Sequence, residues 1–113
     1  MLPRIHRLSS TEDWRRVHAA GSTVHGRGIV VKVLRSRNAA TRFGFSISTK
    51  VSKRATVRNR IKRQLRVAAG KYVDSVRSGL DVVFIARTPL VGLSSENMEH
   101  EVVQVLKKAR VLL

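Results

Sequence analysis

Cysteine is absent from this sequence, so neither a disulfide framework nor a thiolate metal site is available to it. Aromatic residues are sparse, with one Trp, one Tyr and three Phe, too few for a broad base-stacking platform. No apolar run approaches the ~18 residues of a membrane-crossing helix. Met1 to Ser10 lack the apolar core of a secretory signal, and a cytoplasmic location is the expectation. No repeat, low-complexity tract or long linker interrupts the chain, so residues 1–113 read as a single domain. The most telling scarcity is of negative charge. Only seven acids are present, and none lies between Trp14 and Val73.

What is present follows from that gap. Lys and Arg number 23, for a formal net charge of +16, and sixteen of these cations lie inside the acid-free stretch. The cations outside it only balance the acids. Hydrophobic residues make up 42%, which excludes a disordered basic tail and allows a core. A compact domain with such a field needs a polyanion against it. An anionic membrane would require a basic helix with exposed large apolar residues on its other face. The apolar face of the basic segment is modest and is needed for the core, so nucleic acid is the expected partner.

Periodicity places the elements. Ser9-Ser10-Thr11 before Glu12-Asp13 starts a helix that ends near Gly21, with Trp14, Val17 and His18 on one face. Gly28 to Leu34 is β-branched and reads as a strand. In Arg42 to Ser48, Phe43, Phe45 and Ile47 alternate with Gly44, Ser46 and Ser48. The small, polar second face is either solvated or a shallow floor for another backbone. Thr56 to Tyr72 is helical, with Val57, Ile61, Leu65, Ala68 and Tyr72 as its apolar stripe. Leu80 to Ala86 reads as a central strand covered on both faces. A last helix begins at Ser94-Ser95 and buries Met98, Val102, Val105, Leu106 and Ala109. The expected class is α+β, an α/β sandwich with helices packed on a small mixed sheet.

The segment Lys50 to Arg66 carries the chemistry. On a wheel advancing ~100° per residue, Arg58, Lys62 and Arg66 form one row and Asn59 and Arg63 a second, with Arg60 on the far flank. No acid pairs them. Like charges at this spacing weaken a lone helix, so the rows make sense against phosphates. Arg offers those oxygens a planar fork. Protein-side catalysis has no support: the four histidines are scattered, and no nucleophile motif or Gly-rich phosphate loop appears. Glu96 and His100 have metal-ligand spacing, but two ligands are too few. Neither a catalytic residue nor a metal site is expected.

Lys53 to Arg66, KRATVRNRIKRQLR, resembles the signature of the bacterial ribonuclease P protein subunit, whose hallmark is an Arg-Asn-Arg triplet (here Arg58, Asn59 and Arg60) followed by further bases. The order around it agrees. RLSSTEDWRRVHAAG and the FGFSIS strand precede the triplet, and VVFIARTP follows it. The resemblance spans essentially the whole chain and implies a left-handed β-α-β crossover around the basic helix, against the general right-handed rule. It implies a ribonucleoprotein that removes the 5′ leader of precursor tRNA. Its large RNA subunit carries catalysis and most of the Mg2+, and no obligate protein partner is evident. Lys50, Lys53, Arg54, Arg58, Asn59, Arg60, Lys62, Arg63 and Arg66 would face the RNA subunit. Trp14, His18, Lys32, Ser46 and Ser48 would line a leader cleft, with core packing the competing reading for Trp14. Two positions depart from the family pattern. Thr49-Lys50 replaces a common lysine pair, and His18 stands where an aromatic, commonly Phe, is found. The alternative to this family is a structural ribosomal RNA-binding protein. A DNA-compacting protein is disfavoured, since no groove-reading motif or dimerising heptad appears.

Overall fold

The computed structural model describes residues 2–113. Helix α1 spans Thr11–Ala20, followed by strands β1 (Ser22–His25), β2 (Ile29–Arg35) and β3 (Arg42–Ser46). Helix α2 (Ala55–Gly70), strand β4 (Leu80–Ala86) and helix α3 (Ser95–Lys108) complete the chain. The sheet order is β1-β2-β4-β3. β4 runs antiparallel to β2 and parallel to β3, so α2 is the crossover between two adjacent parallel strands.

Strand alternation sorts the side chains to two faces. Ile29, Val31, Phe43, Phe45, Val82 and Phe84 join Ile61 and Leu65 of α2 and Met98, Val102 and Leu106 of α3 in the main core. On the opposite face Val83 meets Leu8 and Val17 of the α1 side, with Trp14, Leu34 and Ile85 packed around them. The molecule is therefore α1 on one side of a mixed sheet and α2 with α3 on the other. β4 is buried on both faces, as its apolar run requires.

The helix starts follow their caps. Ser10 accepts from the Asp13 amide at the head of α1, and Ser94 from the Asn97 amide at the head of α3. The structure departs from the sequence reading in three places. Ser22–His25 forms an edge strand that is too short and too exposed to announce itself. It exists because a tight turn, with Gly28 at φ 79° and the Gly26 amide 2.7 Å from the Ile29 carbonyl, folds it onto β2. β3 stops at Ser46, leaving Ile47 and Ser48 in the connection to α2. In α2 the buried stripe is Ile61, Leu65, Ala68 and Ala69, while Tyr72 lies past the helix end. That rotation of the stripe decides where the cations point.

One acid contradicts the picture of acids as mere surface counterweights. Asp81, in the central strand, is fully buried. Arg42 reaches it from β3 with two hydrogen bonds, Nε to Oδ1 at 2.9 Å and Nη2 to Oδ2 at 2.8 Å. Asp13 of α1 lies 3.1 Å from Arg42 Nη1. The bidentate bond to Asp81 holds the Arg42 guanidinium above its usual pKa, with both carboxylates contributing. This chain of three charges ties α1 to the sheet.

Candidate nucleic-acid interface

α2 is built for a partner and poorly for itself. Its N-cap, Arg54, offers no side-chain acceptor, and its first turn holds no acid. The positive end of the helix dipole is thus left open, with Lys53 and Arg54 exposed beside it. Among the described residues, no acid lies within ion-pair distance of Lys50, Lys53, Arg54, Arg60, Lys62, Arg63 or Arg66.

The cations do not share one face. With the buried stripe between Ile61 and Ala69, Asn59 and Arg63 form the exposed crest. Arg60 and Arg63 border a groove of about 240 Å³ against α3, floored by Val67 and Ala68 and closed by Lys71 and Glu99. The row Arg58, Lys62, Arg66 lies on the opposite flank. Arg58 is half-buried and donates from Nη1 to the Ser52 carbonyl at 2.9 Å, bracing the turn that enters the helix. Lys62 and Arg66 border a cavity of about 170 Å³ at the β3 edge, and Trp14 lines the same cavity. The sequence wheel separates these rows but not the elements that border each of them; Val57, in its apolar stripe, is only half-buried.

The α1 side of the sheet gathers most of the other candidates. Trp14 is half-buried, with its benzo ring over Gly44, and donates from Nε1 to the Leu8 carbonyl at 2.9 Å. At Gly44 the floor of the sheet is therefore occupied by the indole and is closed to an approaching backbone. His18 is exposed, its ring stacked toward Trp14 at a centroid distance of 6.0 Å. Lys32 donates to the His18 carbonyl at 3.3 Å, where a cation suits the last turn of α1. Ser46 pairs in register with Ile85 and so shares this face. Ser48 stands apart in the connecting loop, accepting from the Lys50 amide at 3.3 Å. Sequence reading missed Arg42 and Asp81 as the pair that fixes α1. An acid inside an apolar strand, where burial is costly unless paired, was the available signal.

Fold and surface define a small α+β protein with acid-free positive charge on its crossover helix. The family model for ribonuclease P matches residues 2–110. The ribonuclease P protein component of Synechocystis sp. is 35% identical over 112 residues, covering 98% of this chain and 90% of its own. That of Brevibacillus brevis is 34% identical, covering 96% and 86%. The Staphylococcus aureus RNase P protein superimposes with a TM-score of 0.86 at 28% identity, covering 96% of this chain and 98% of its own. The Thermotoga maritima RNase P protein shares the fold at 23% identity, with a TM-score of 0.80 over 90% of this chain and 96% of its own. This chain belongs to the ribonuclease P protein family. Its function is that of a ribonuclease P protein component in tRNA 5′-end processing.

Proposed function

We propose that the protein binds the catalytic RNA of ribonuclease P through α2 and the 5′ leader of precursor tRNA along the α1 side of the sheet. Catalysis then belongs to the RNA, which also holds most of the Mg2+. The observation that carries this reading is that, among the described residues, no acid lies within ion-pair distance of the cations of α2. A helix that concentrates like charge without acids gains stability only when phosphates neutralise it. Arg54, Asn59, Arg60 and Arg63, with Lys50 and Lys53 before them, form the outward surface for the large RNA. Asn59 adds a hydrogen bond to sugar or base. Trp14, His18 and Lys32 offer the leader a stacked aromatic pair and a cation. His18 can stack on a base.

The protein's chemical part is positioning and charge neutralisation. It holds two polyanions together, which lowers the Mg2+ concentration that the RNA needs. Reconstitution with the RNA subunit of the same organism tests this. Cleavage of precursor tRNA at low Mg2+ is expected to rise when the folded protein is added. No rise would overturn the proposal.

A further inference from the structure

The cavity at the β3 edge is more than a gap between elements. The segment before α1 runs beside β3, with the Leu8 amide 2.9 Å from the Phe43 carbonyl, and ends at Ser9 and Ser10 where α1 turns away. This leaves a pocket of about 170 Å³ that Arg7, Ser9, Trp14, Phe45, Lys62 and Arg66 line. None of its lining residues is acidic. Arg66 is half-buried there, and among the described residues its guanidinium has neither a hydrogen-bond acceptor nor an ion-pair partner. Its guanidinium nitrogens are not buried, so they are open to an incoming anion, whose oxygens they would bind with charge-assisted hydrogen bonds. Lys62, one turn earlier on the same flank, is unpaired as well. Trp14 has one face against Gly44. What the pocket offers is charge, which suits a phosphate.

We infer that this pocket seats a backbone phosphate of the leader strand between Lys62 and Arg66, where the strand passes the edge of Trp14 toward α2. The inference rests on the proposed leader path along the α1 side of the sheet. It moves two cations of the α2 row from the catalytic RNA to the substrate. The crest residues Asn59 and Arg63 point away from this pocket, so the two RNAs divide the helix between them. The ligand chemistry is an RNA phosphodiester, and its source is what the experiment must separate.

Holoenzyme is reconstituted with the wild-type protein, Lys62→Gln, Arg66→Gln and Arg66→Lys. Three affinities are measured: protein for the RNA subunit, holoenzyme for precursor tRNA, and holoenzyme for mature tRNA. Lys62→Gln and Arg66→Gln are expected to weaken precursor binding by about three- to tenfold. Mature tRNA and RNA-subunit affinities should stay within about twofold of wild type, and Arg66→Lys should keep most of the wild-type value. Lys62 is exposed, so its variant keeps the test valid if Arg66→Gln fails to fold. A loss of RNA-subunit affinity, or an equal loss for mature tRNA, would overturn the inference and assign the phosphate to the catalytic RNA. Unchanged affinities in all three would overturn it too. An Arg60→Ala/Arg63→Ala variant reports separately on the α2 crest, so failure of the pocket and failure of the broader reading are distinguishable.

Discussion

Trp14 of α1 rests on Gly44 of β3 so closely that a Cβ at Gly44 would lie 2.5 Å from the indole Cζ2. The strand has a glycine at this register because the helix brings an indole there. The contact sets how near α1 lies to the sheet, and so sets the shape of the face proposed for the leader.

Gly44→Ala is expected to push the indole outward and to cost about 1–3 kcal/mol through overpacking. Trp14 is the only tryptophan, so its fluorescence reports the displacement without interference. Chemical denaturation supplies the stability. An unshifted emission spectrum at wild-type stability would mean that α1 sits more loosely than described.

The Arg42–Asp81 pair should matter more than any surface charge. Asp81→Asn leaves a buried guanidinium contact half-made, and a loss of about 3 kcal/mol is expected. Because Arg42 also holds Asp13, α1 should loosen with it, and precursor binding should fall beyond what the melting temperature explains. An Arg42→Met/Asp81→Leu double variant, which removes both charges together, should be less destabilised than Asp81→Asn alone.

Arg60→Ala with Arg63→Ala should weaken binding to the RNA subunit and flatten its salt dependence. With two phosphate contacts gone, the log-log slope should fall by about 1.5. Titrations at several salt concentrations check this. A slope equal to wild type would remove the α2 crest from the interface.

Lys71, Tyr72 and Glu99 join the end of α2 to α3, with Lys71 Nζ 2.6 Å and the Tyr72 hydroxyl 3.1 Å from the Glu99 carboxylate. The Lys71 and Tyr72 bonds hold Glu99 below the usual carboxylate range. The same carboxylate raises Lys71 and Tyr72 above theirs. A lowered acid contributes stability that is present above its unfolded pKa and lost as pH falls through the folded one. Raised Lys and Tyr groups contribute below their unfolded pKa and lose it as pH rises through the folded one. The link is therefore whole between about pH 5 and pH 10. Glu99→Gln should flatten both limbs of a stability-against-pH curve, and an unchanged acid limb would show that the link carries no stability.

Much of this protein was legible without coordinates. The caps at Ser10 and Ser94 mark helix starts because short hydroxyl side chains satisfy free amides locally. Leu80–Ala86 announced a central strand because burial on both faces leaves no room for alternation. The signature at Arg58, Asn59 and Arg60 resembles the family's, and the acid-free cationic helix that carries it points to a polyanion. Local chemistry of this kind is written in consecutive residues.

Tertiary structure decided what depends on residues far apart in the chain. β1 exists only because β2 is there to pair with it. Val57 yielded part of the buried stripe to Ala69, and packing of α2 on the sheet put Lys62 and Arg66 at the β3 edge. Trp14, readable as core or cleft, has Gly44 beneath it and a cavity beside it. Asp81 looked like one more acid offsetting one more base until Arg42 met it in the sheet. The sequence by itself determined the sign of the charge and every helix and strand named above but β1, and carried the family's signature. Which cations stand together, and which partner each can reach, is set by packing. Side chains 39 positions apart, as in Arg42 and Asp81, become neighbours only when the sheet closes.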